Sequence, residues 1–536
     1  MHRRTARPAA ALALAVTAAL VLTSGACSTR PMPRPTPSPT DPVETLTVAH
    51  AFDLASADPA RSRGATDALV LKALYETALT RSGGDSGEPV PDLASAAESA
   101  DGRVLTLTLR DDPRFANGDP VTTDDLVFSY RRVQGIGGEP AALLRDPAGE
   151  AVAVRKVDGR TVTLTSSTAN PGLRAALASP ALGVLDASVV QANGGSTTKD
   201  DRAEGFLNRE SAGSGPYVLE SLDEASRVVL GPNPEHDGSA PAYGRVVLQN
   251  VPGGQQRALV QSGRADLALD LDAEQVRGLG SGGTTVARST SPTLLHLFLA
   301  QGREAGGGVT DDTRFVTAVR RAVDPAAIFA LTGEGSARPG GMVPTTSRGS
   351  IDPGPTTASD LRGAITALNE AGYTGQTVTL SYPSDVAVEG VELRPVAEAL
   401  QAQLGRVGIT VKLAGLPAED FERAWRSGEL QAGLAAWRPA TTDPSAALVF
   451  SPGEPLAVRA GFTAGLAENV TAARQAVQAA GSEAERLTAY GTWQRLLNGY
   501  GPFVPLVQPP RHVVSAAGVG RVEADPVWIV DLAAVR

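Results

Sequence analysis

Cysteine and histidine are scarce in this sequence. Among 536 residues there are one cysteine, Cys27, and five histidines. A single cysteine excludes a disulfide within the chain and a metal site built from several thiolates. The histidines stand far apart, with no ligand spacing such as H-x-x-x-H, at His2, His50, His236, His296 and His512. We therefore predict no metal site and no cofactor.

Aromatic residues and positive charge are also in short supply. Aromatics make up 4% of the chain, and 58 acidic residues outnumber 48 lysines and arginines, for a formal net charge of −10. This balance disfavours nucleic acid as a partner and offers no basic patch for anionic lipid. Adjacent acids such as Asp124 and Asp125 point in different directions, and Gly306–Gly308 lacks the strand–GxxxxGK–helix context of a phosphate loop. No catalytic set is recognisable, so we predict that the protein is not an enzyme.

The N-terminus has the pattern of a targeting segment. Three arginines precede an apolar run over residues 9–22, which suits a signal peptide and is short for a membrane-spanning helix. Small residues then lead to Cys27, and the arrangement resembles a bacterial lipobox, in which the cysteine thiol is acylated. We predict a lipoprotein signal peptide over residues 1–26, a lipid anchor on Cys27 and a Pro-rich tether over residues 27–43. The alternative is an ordinary signal peptide beside an incidental cysteine.

Residues 104–133 carry the most regular local pattern in the chain. Leucines alternate with threonines across 104–109, which is typical of a strand with one buried face. A polar turn follows, and then a helix that Thr122 can cap, with Asp125 three residues on. The stretch therefore predicts a strand–turn–helix unit.

Two further patterns bear on the fold class. Residues 151–164 alternate on both sides of Asp158–Gly159, which predicts a hairpin with a type I′ turn. From about residue 359 to 437 strands alternate with helices, which predicts a parallel sheet. Ligands bind beyond the carboxyl ends of the strands in such sheets, so the loop after Trp437 is the first place to look for a site.

The strand–turn–helix unit resembles the most recognisable segment of family 5 of the bacterial extracellular solute-binding proteins. These are the peptide/nickel-type receptors of ABC importers. Further matching motifs recur, so that the resemblance covers about residues 44–535. The motifs that carry it are Pro91–Ala94, Leu109–Arg110, Phe115–Gly118, Thr122–Ser129, Gly213–Tyr217, Ala258–Asp266 and Arg320–Asp324.

The resemblance implies an α/β chain with a two-lobed periplasmic-binding-protein-like fold (type II, cluster C) and an extra inserted domain. Lobe I would be assembled from non-contiguous segments, and the ligand would be enclosed between the lobes. The implied boundaries are 44–88, 207–288 and 505–536 for lobe I, 89–206 for the inserted domain, and 289–504 for lobe II.

The loop Trp437–Pro444 resembles the family's binding loop, which a Trp opens and an acidic residue followed by Pro closes. In the family's peptide receptors an Asp three residues after the Trp pairs with the α-amino group of the peptide, and here that position is Ala440. Either Asp443 substitutes for it, or the ligand carries no primary amine at that end. The predicted ligand-binding residues are Trp437, Arg438, Ala440, Asp443, His50, Phe52, Tyr382 and His296. The structural alternatives are a loop cap for Asp443, a surface position for Arg438, and core positions for Trp437, His296 and Tyr382.

The resemblance implies a monomeric, lipid-anchored receptor on the outer face of the cell membrane. It would bind a peptide or a peptide-like small solute between its lobes and deliver the solute to ABC permease subunits. Two alternatives remain open. One is an envelope sensor or interaction lipoprotein with the same fold, which binds a non-peptide ligand or none. The other is a hydrolase on a two-lobed scaffold, against which the absence of a nucleophile–base set argues.

Overall fold

The structure is a computed structural model of the chain, and it describes residues 44–82, 87–280, 283–302, 308–354, 359–520 and 522–536. These ranges belong to one compact unit, Val43–Arg536. The predicted signal peptide, the Cys27 anchor and the tether lie outside the described residues. Within the described ranges, no helix combines the length and the apolar character needed to span a bilayer.

Strands and helices alternate irregularly along the described chain. The strands are β1 (Thr45–His50), β2 (Leu79–Arg81), β3 (Pro89–Pro91), β4 (Ala94–Glu98), β5 (Val104–Leu109), β6 (Ala153–Lys156), β7 (Thr161–Thr165), β8 (Tyr217–Asp223), β9 (Arg227–Pro232), β10 (Arg245–Asn250), β11 (Leu267–Ala268), β12 (Thr285–Thr290), β13 (Leu294–Leu299), β14 (Val378–Pro383), β15 (Ala387–Val388), β16 (Val391–Glu392), β17 (Val411–Leu416), β18 (Ala432–Trp437), β19 (Phe503–Val507), β20 (Pro510–Ser515), β21 (Ala524–Asp525) and β22 (Ile529–Val530). The α-helices are α1 (Ala65–Leu74), α2 (Thr123–Ile136), α3 (Leu173–Ala176), α4 (Ala187–Ala192), α5 (Glu204–Leu207), α6 (Gly253–Gln261), α7 (Thr313–Ala322), α8 (Pro325–Thr332), α9 (Leu361–Glu370), α10 (Leu393–Gly405), α11 (Ala418–Ser427), α12 (Pro455–Arg459), α13 (Glu468–Ala479) and α14 (Glu483–Tyr500).

A seven-stranded sheet, in the order β12–β20–β11–β1–β10–β9–β8, forms the centre of lobe I. β1 is parallel to β10 and β11, and the remaining neighbours are antiparallel. Val48 pairs with Leu248 on one side and Leu267 on the other, and all three side chains are fully buried. Because these strands come from stretches of chain far apart in sequence, the core of lobe I forms only when the stretches meet.

The inserted domain contains an antiparallel four-stranded sheet, in the order β4–β5–β7–β6, on which α2 packs. Leu126, Tyr130 and Val133 of α2 are buried in the same core as the strands. The cap predicted from sequence is confirmed, since the carboxylate of Asp125 accepts a hydrogen bond from the Thr122 N–H at 2.8 Å.

The hairpin predicted around Asp158–Gly159 is confirmed, but the type I′ turn is wrong. β6 and β7 pair antiparallel up to Lys156 and Val162, which leaves a connection of residues 157–160. Neither Asp158 nor Gly159 has the positive φ that a type I′ turn requires. Instead, the Asp158 carboxylate accepts a hydrogen bond from the Arg160 N–H at 2.8 Å, which stabilises a longer turn.

Lobe II is built around a five-stranded sheet, in the order β17–β14–β18–β13–β19. The predicted parallel pairing is confirmed for β14 with β17 and with β18. The two strands next to the chain crossings, β13 and β19, are antiparallel to their neighbours, so the sheet is mixed. Two helical layers pack against it, one with α7–α10 and one with α11–α14.

Two short crossings, residues 291–293 and 508–509, connect the two large sheets. They are hydrogen-bonded to each other: the Gln508 side-chain amide donates to the Ser291 carbonyl at 2.8 Å, and the Ser291 N–H donates to the Pro509 carbonyl at 3.1 Å. Short connecting segments of this kind, at the ends of strands from two lobes, are typical of a hinge.

Glu389, in the β15–β16 hairpin of lobe II, connects this hinge to lobe I. Its carboxylate accepts hydrogen bonds from the Ser291 hydroxyl at 2.6 Å and from Arg511 of β20 at 2.6 and 3.0 Å. Burial by itself would raise the pKa of Glu389, but Arg511 outweighs this effect and the pKa is lowered to about 2. The residue has φ +49°, a left-handed conformation that a non-glycine residue adopts only under tertiary constraint.

Candidate functional site

A cleft of about 1000 Å³ lies between lobe II on one side and lobe I with the inserted domain on the other. Its lobe II wall includes the carboxyl end of β18 and the loop that follows, as predicted for a ligand site in such a sheet. Phe421 and Trp425 of α11 extend this wall, and residues 137–149 and 169–173 of the inserted domain face it. The volume is within the range of small-molecule and peptide sites.

Trp437, the last residue of β18, lines the cleft and packs its ring edge-to-face on Phe450, with centroids 5.0 Å apart. On the neighbouring strand β13, Leu294 lies opposite Trp437 and His296 lies opposite Ala435. Directly opposed residues share one face of a sheet. His296 and Trp437 therefore lie on the same face, at the base of the cleft.

His296 is buried, and its Nε2 atom has no hydrogen-bond partner among the described residues. Phe450 and Phe503 contact the ring edge-to-face at centroid distances of 5.4 and 6.0 Å. Burial lowers the pKa of His296 to about 4, so the imidazole is neutral at pH 7.

Arg438, the next residue after Trp437, extends from lobe II to lobe I. Its Nη2 donates to the carbonyls of Val527 at 2.5 Å and Pro526 at 3.3 Å, both near the C-terminus of the chain. Burial, together with the charge of nearby Arg511, lowers the pKa of Arg438 to about 10. Arg438 is therefore still a cation at pH 7, although its surroundings disfavour the charge.

Ala440 is exposed to the cleft and presents only a methyl group, whereas Asp443 is fully engaged in the protein. The Asp443 carboxylate accepts from the Ser445 N–H at 2.9 Å and pairs with both terminal nitrogens of Arg486 at 3.1 Å. These contacts cap the 3-10 helix Pro444–Phe450 and attach it to α14. Asp443 does not line the cleft.

The remaining predicted residues also lie outside the cleft wall. His50 is buried in lobe I, where its two ring nitrogens contact Asp270 at 2.8 Å and Thr66 at 3.1 Å. Burial alone would lower the pKa of His50, but Asp270 raises it overall. Phe52 is half-buried beside His50, and Tyr382 is 2% exposed, in the core between β14 and the α7–α10 layer.

The carboxylates that line the cleft come from segments that the sequence analysis did not single out. Each has partners within the protein: Glu139 contacts Arg426 at 3.5 Å, Glu422 contacts Arg426 at 2.6 Å and Arg459 at 3.2 Å, Glu454 contacts Arg474 at 2.6 Å, and Asp146 accepts from Ser167 and from backbone N–H groups. The Glu422–Arg426 pair lies within α11 at i,i+4 spacing, whereas the other ion pairs join segments far apart in sequence, which no local pattern marks.

The comparison with known families agrees with this geometry. A sequence model described as "Bacterial extracellular solute-binding proteins, family 5 Middle" matches residues 88–454. This chain belongs to that family.

Individual relatives are distant but extend over most of the chain. The "Probable D,D-dipeptide-binding periplasmic protein DdpA" of Escherichia coli K12 is 26% identical over 419 residues, 75% of this chain and 76% of its own. A dipeptide-binding protein from Pseudoalteromonas sp. SM9913, solved in complex with Met-Leu, has a TM-score of 0.78 at 19% identity and covers 92% of this chain and 100% of its own. The Helicobacter pylori protein DppA, in complex with peptide STSA, has a TM-score of 0.77 at 20% identity, with coverages of 92% and 97%. These structures show the same two-lobed fold.

The lobes of this family 5 chain are in contact across the cleft. Arg81 donates to the Thr442 hydroxyl at 2.7 Å, and the Gln478 amide donates to the Pro147 carbonyl. A Cβ atom on Gly172 would lie 2.7 Å from the Ser445 hydroxyl, so a side chain at this position of the inserted domain would require Ser445 of lobe II to shift. The cleft is therefore bordered by contacts between its two walls.

A candidate group of metal ligands lies outside the cleft. Glu76, His236 and Asp237 place one ligand atom each within 4.8 Å of one another. Arg110 contacts both carboxylates, Asp237 at 2.9 Å and Glu76 at 3.1 Å. A guanidinium already pairs with both carboxylates of this cluster, and none of the three residues lines the cleft.

Proposed function

We propose that this protein is the receptor of an ABC importer and that it captures a peptide or peptide-like small solute between its lobes. The observation that carries the proposal is the cleft of about 1000 Å³, which both lobes and the inserted domain border and which the Trp437 loop lines. The names of its relatives support the class of solute, since they describe binding of dipeptides and of longer peptides. The Helicobacter pylori relative is also described as associated with an ABC transporter.

The proposed mechanism is closure about the two crossings. A solute that contacts both walls binds the closed form better than the open form, and it shifts the population toward closure by that difference in affinity. Glu389 connects the hinge to Arg511 of lobe I, and Arg438 reaches the last segment of lobe I. The closed surface would then be recognised by the permease subunits. The protein would act by binding alone, without chemical change to the solute.

The proposal includes a lipid anchor on Cys27, with residues 1–26 removed and residues 27–43 as a tether to a monomeric receptor at the outer face of the membrane. It divides the chain into a lobe I of 44–88, 207–288 and 505–536, an inserted domain of 89–206 and a lobe II of 289–504.

Replacement of Cys27 by Ser should release the protein from membranes into the medium or periplasm. Retention of C27S protein on membranes would contradict the anchor.

Native mass spectrometry of the purified protein tests the solute class. Heterogeneous extra mass that matches short peptides or their derivatives is the expected result. A single bound non-peptide mass would replace the proposed solute. No bound mass, together with no thermal shift across peptide and metal panels, would favour an envelope sensor of the same fold.

A further inference from the structure

The charges of the cleft wall restrict the chemistry of the solute, given the proposed receptor function. The binding loop offers no free carboxylate, since residue 440 ends in a methyl group and Asp443 is bonded to Arg486 and Ser445. An ammonium group that leaves water needs an anionic partner of fixed geometry. The loop does not provide one.

The other acids of the cleft are equally occupied. Glu422 is shared by two arginines, Glu454 is paired with Arg474, and Glu139 faces Arg426. Asp146 accepts hydrogen bonds from the Ser167 N–H and hydroxyl at 2.7 and 2.5 Å, as well as from backbone N–H groups of its own turn. A solute ammonium would have to break one of these arrangements, so binding it would carry a net cost.

Arg438 of the cleft wall is in the opposite situation. Arg438 forms no ion pair with a described carboxylate, and of its donors only Nη2 has partners, two backbone carbonyls. Three acids act on its charge, and each has partners of its own. Glu389 pairs with Arg511, and Asp525 pairs with Arg81 and accepts from the Val527 N–H. Asp53 accepts hydrogen bonds from Thr66 and from the Ala65 N–H. Nε and Nη1 of Arg438 therefore remain available to a solute in the cleft that this residue lines.

The base of the cleft indicates the chemistry of the uncharged part of the solute. The neutral His296 Nε2 has no partner in the described structure and lies among aromatic side chains at the base of the cleft, where Trp425 and Trp437 also line the wall. A buried polar atom without a partner is costly, and a ligand atom that bonds to it removes that cost. The base therefore suits an apolar group with one hydrogen-bonding atom.

We propose that the cleft selects an amine-free carboxylate of peptide size, such as an N-acylated peptide, with its carboxylate on Arg438. Among the described residues that line the cleft, Arg438 is a cation without an ion-paired carboxylate, and each carboxylate already has an ion-pair or hydrogen-bond partner. The preferred solute would thus be held by a negatively charged carboxylate, whereas a free peptide would be held by its positively charged ammonium group.

The test uses three matched pools of short peptides that differ only at their ends, measured by native mass spectrometry and titration calorimetry. The pools have free ends, acetylated N-termini with free carboxylates, or acetylated N-termini with amidated C-termini. We expect the acetylated acids to bind roughly tenfold or more tightly than either other pool, which is the usual effect of one charge-assisted hydrogen-bonded pair. Preference for free amines would overturn the inference and leave the receptor function intact. Binding of none of the pools would overturn both.

Two variants separate recognition from closure. Arg438→Gln should abolish the difference between acid and amide pools, whereas a residue that only helps closure would weaken both pools equally. Ala440→Asp places a carboxylate where the side chain is exposed to the cleft, and it should gain binding of the free-amine pool. If R438Q keeps the acid-over-amide preference, or A440D gains no free-amine binding, the assignment is overturned.

Discussion

Two arginines of this protein, Arg132 and Arg438, differ in how their charge is compensated. Arg132 of α2 is fully buried and bonds through three nitrogens to the carboxylates of Asp58 and Asp201, at 2.7 to 2.8 Å. Arg438 in the cleft wall is partly exposed and donates to two backbone carbonyls, with no carboxylate partner among the described residues. The charge of Arg132 is compensated within the fold, whereas that of Arg438 has no ion-pair partner there. We therefore expect Arg132 to stabilise the fold and propose Arg438 as a residue that binds the solute.

The largest expected effect comes from breaking the satisfied cluster. Arg132→Met leaves Asp58 and Asp201 buried with less compensation, and we expect a loss of about 3–5 kcal/mol in the free energy of unfolding. Denaturant titration followed by circular dichroism measures it. Arg131→Ala, the exposed neighbour on the same helix, is the matched control and should change the free energy by about 0.5 kcal/mol or less. Equal losses of unfolding free energy in both variants would show that the buried ion cluster is not the cause.

Glu389 resembles Arg132 in that its charge is compensated within the fold, here by Arg511. Its pKa is lowered to about 2, so the carboxylate stabilises the fold fully above the ordinary pKa of 4.5 and loses this contribution as the pH falls toward 2. Glu389→Gln should therefore cost about 3 kcal/mol at pH 7, with the difference from wild type shrinking below about pH 4.5. The exposed Glu392→Gln, in the same hairpin, is the control for general charge effects. A pH-independent difference would contradict the ion pair as its cause.

His296 resembles Arg438 in this respect, because its Nε2 has no hydrogen-bond partner among the described residues. Its pKa is lowered to about 4, so the unfolded chain binds a proton that the folded chain rejects between about pH 6.5 and 4. Wild-type stability should fall through this window by up to about 3 kcal/mol relative to His296→Phe, which keeps the aromatic packing. Thermal unfolding at a series of pH values measures the difference. Parallel curves for the two proteins would show that His296 is partnered or protonated in the folded state.

The smallest expected effect on stability is that of Arg438 itself. Arg438→Gln removes two hydrogen bonds to carbonyls, but it also removes a cation that burial and Arg511 disfavour. These contributions oppose each other, so we expect a change of about 1 kcal/mol or less in the unfolding free energy. Denaturant titration without solute, beside R132M, completes the comparison. A loss as large as that of R132M would place Arg438 among the residues that hold the fold.

Local features of the fold could be predicted because they depend on neighbours in sequence. The cap of α2 needs only Thr122 and Asp125, and the parallel strands β14, β17 and β18 follow from alternation with helices. The type I′ turn does not form at Asp158–Gly159, because the Asp158 carboxylate instead accepts a hydrogen bond from the Arg160 N–H. Local turn geometry therefore depends on which of two competing hydrogen-bond patterns is more favourable.

The predicted site residues fall into two groups, those that reach the cleft and those that have partners inside the protein. Trp437, Arg438, Ala440 and His296 reach the cleft because they end or face the strands of lobe II. Asp443 looked equally available in the sequence, but its partner Arg486 lies 43 positions later, on α14. His50 and Tyr382 likewise found partners or packing inside their lobes.

The sequence by itself determined the family, the fold class, the cap of α2 and the loop that carries the candidate site, since each is written in short motifs and periodic patterns. Only the tertiary structure decided which charges are free. Asp58, Arg132 and Asp201 meet from three distant parts of the chain, and Glu389 meets Arg511 across 122 positions. Whether a charge is compensated depends on distances of a few ångströms between such segments, and no pattern along the chain encodes those distances.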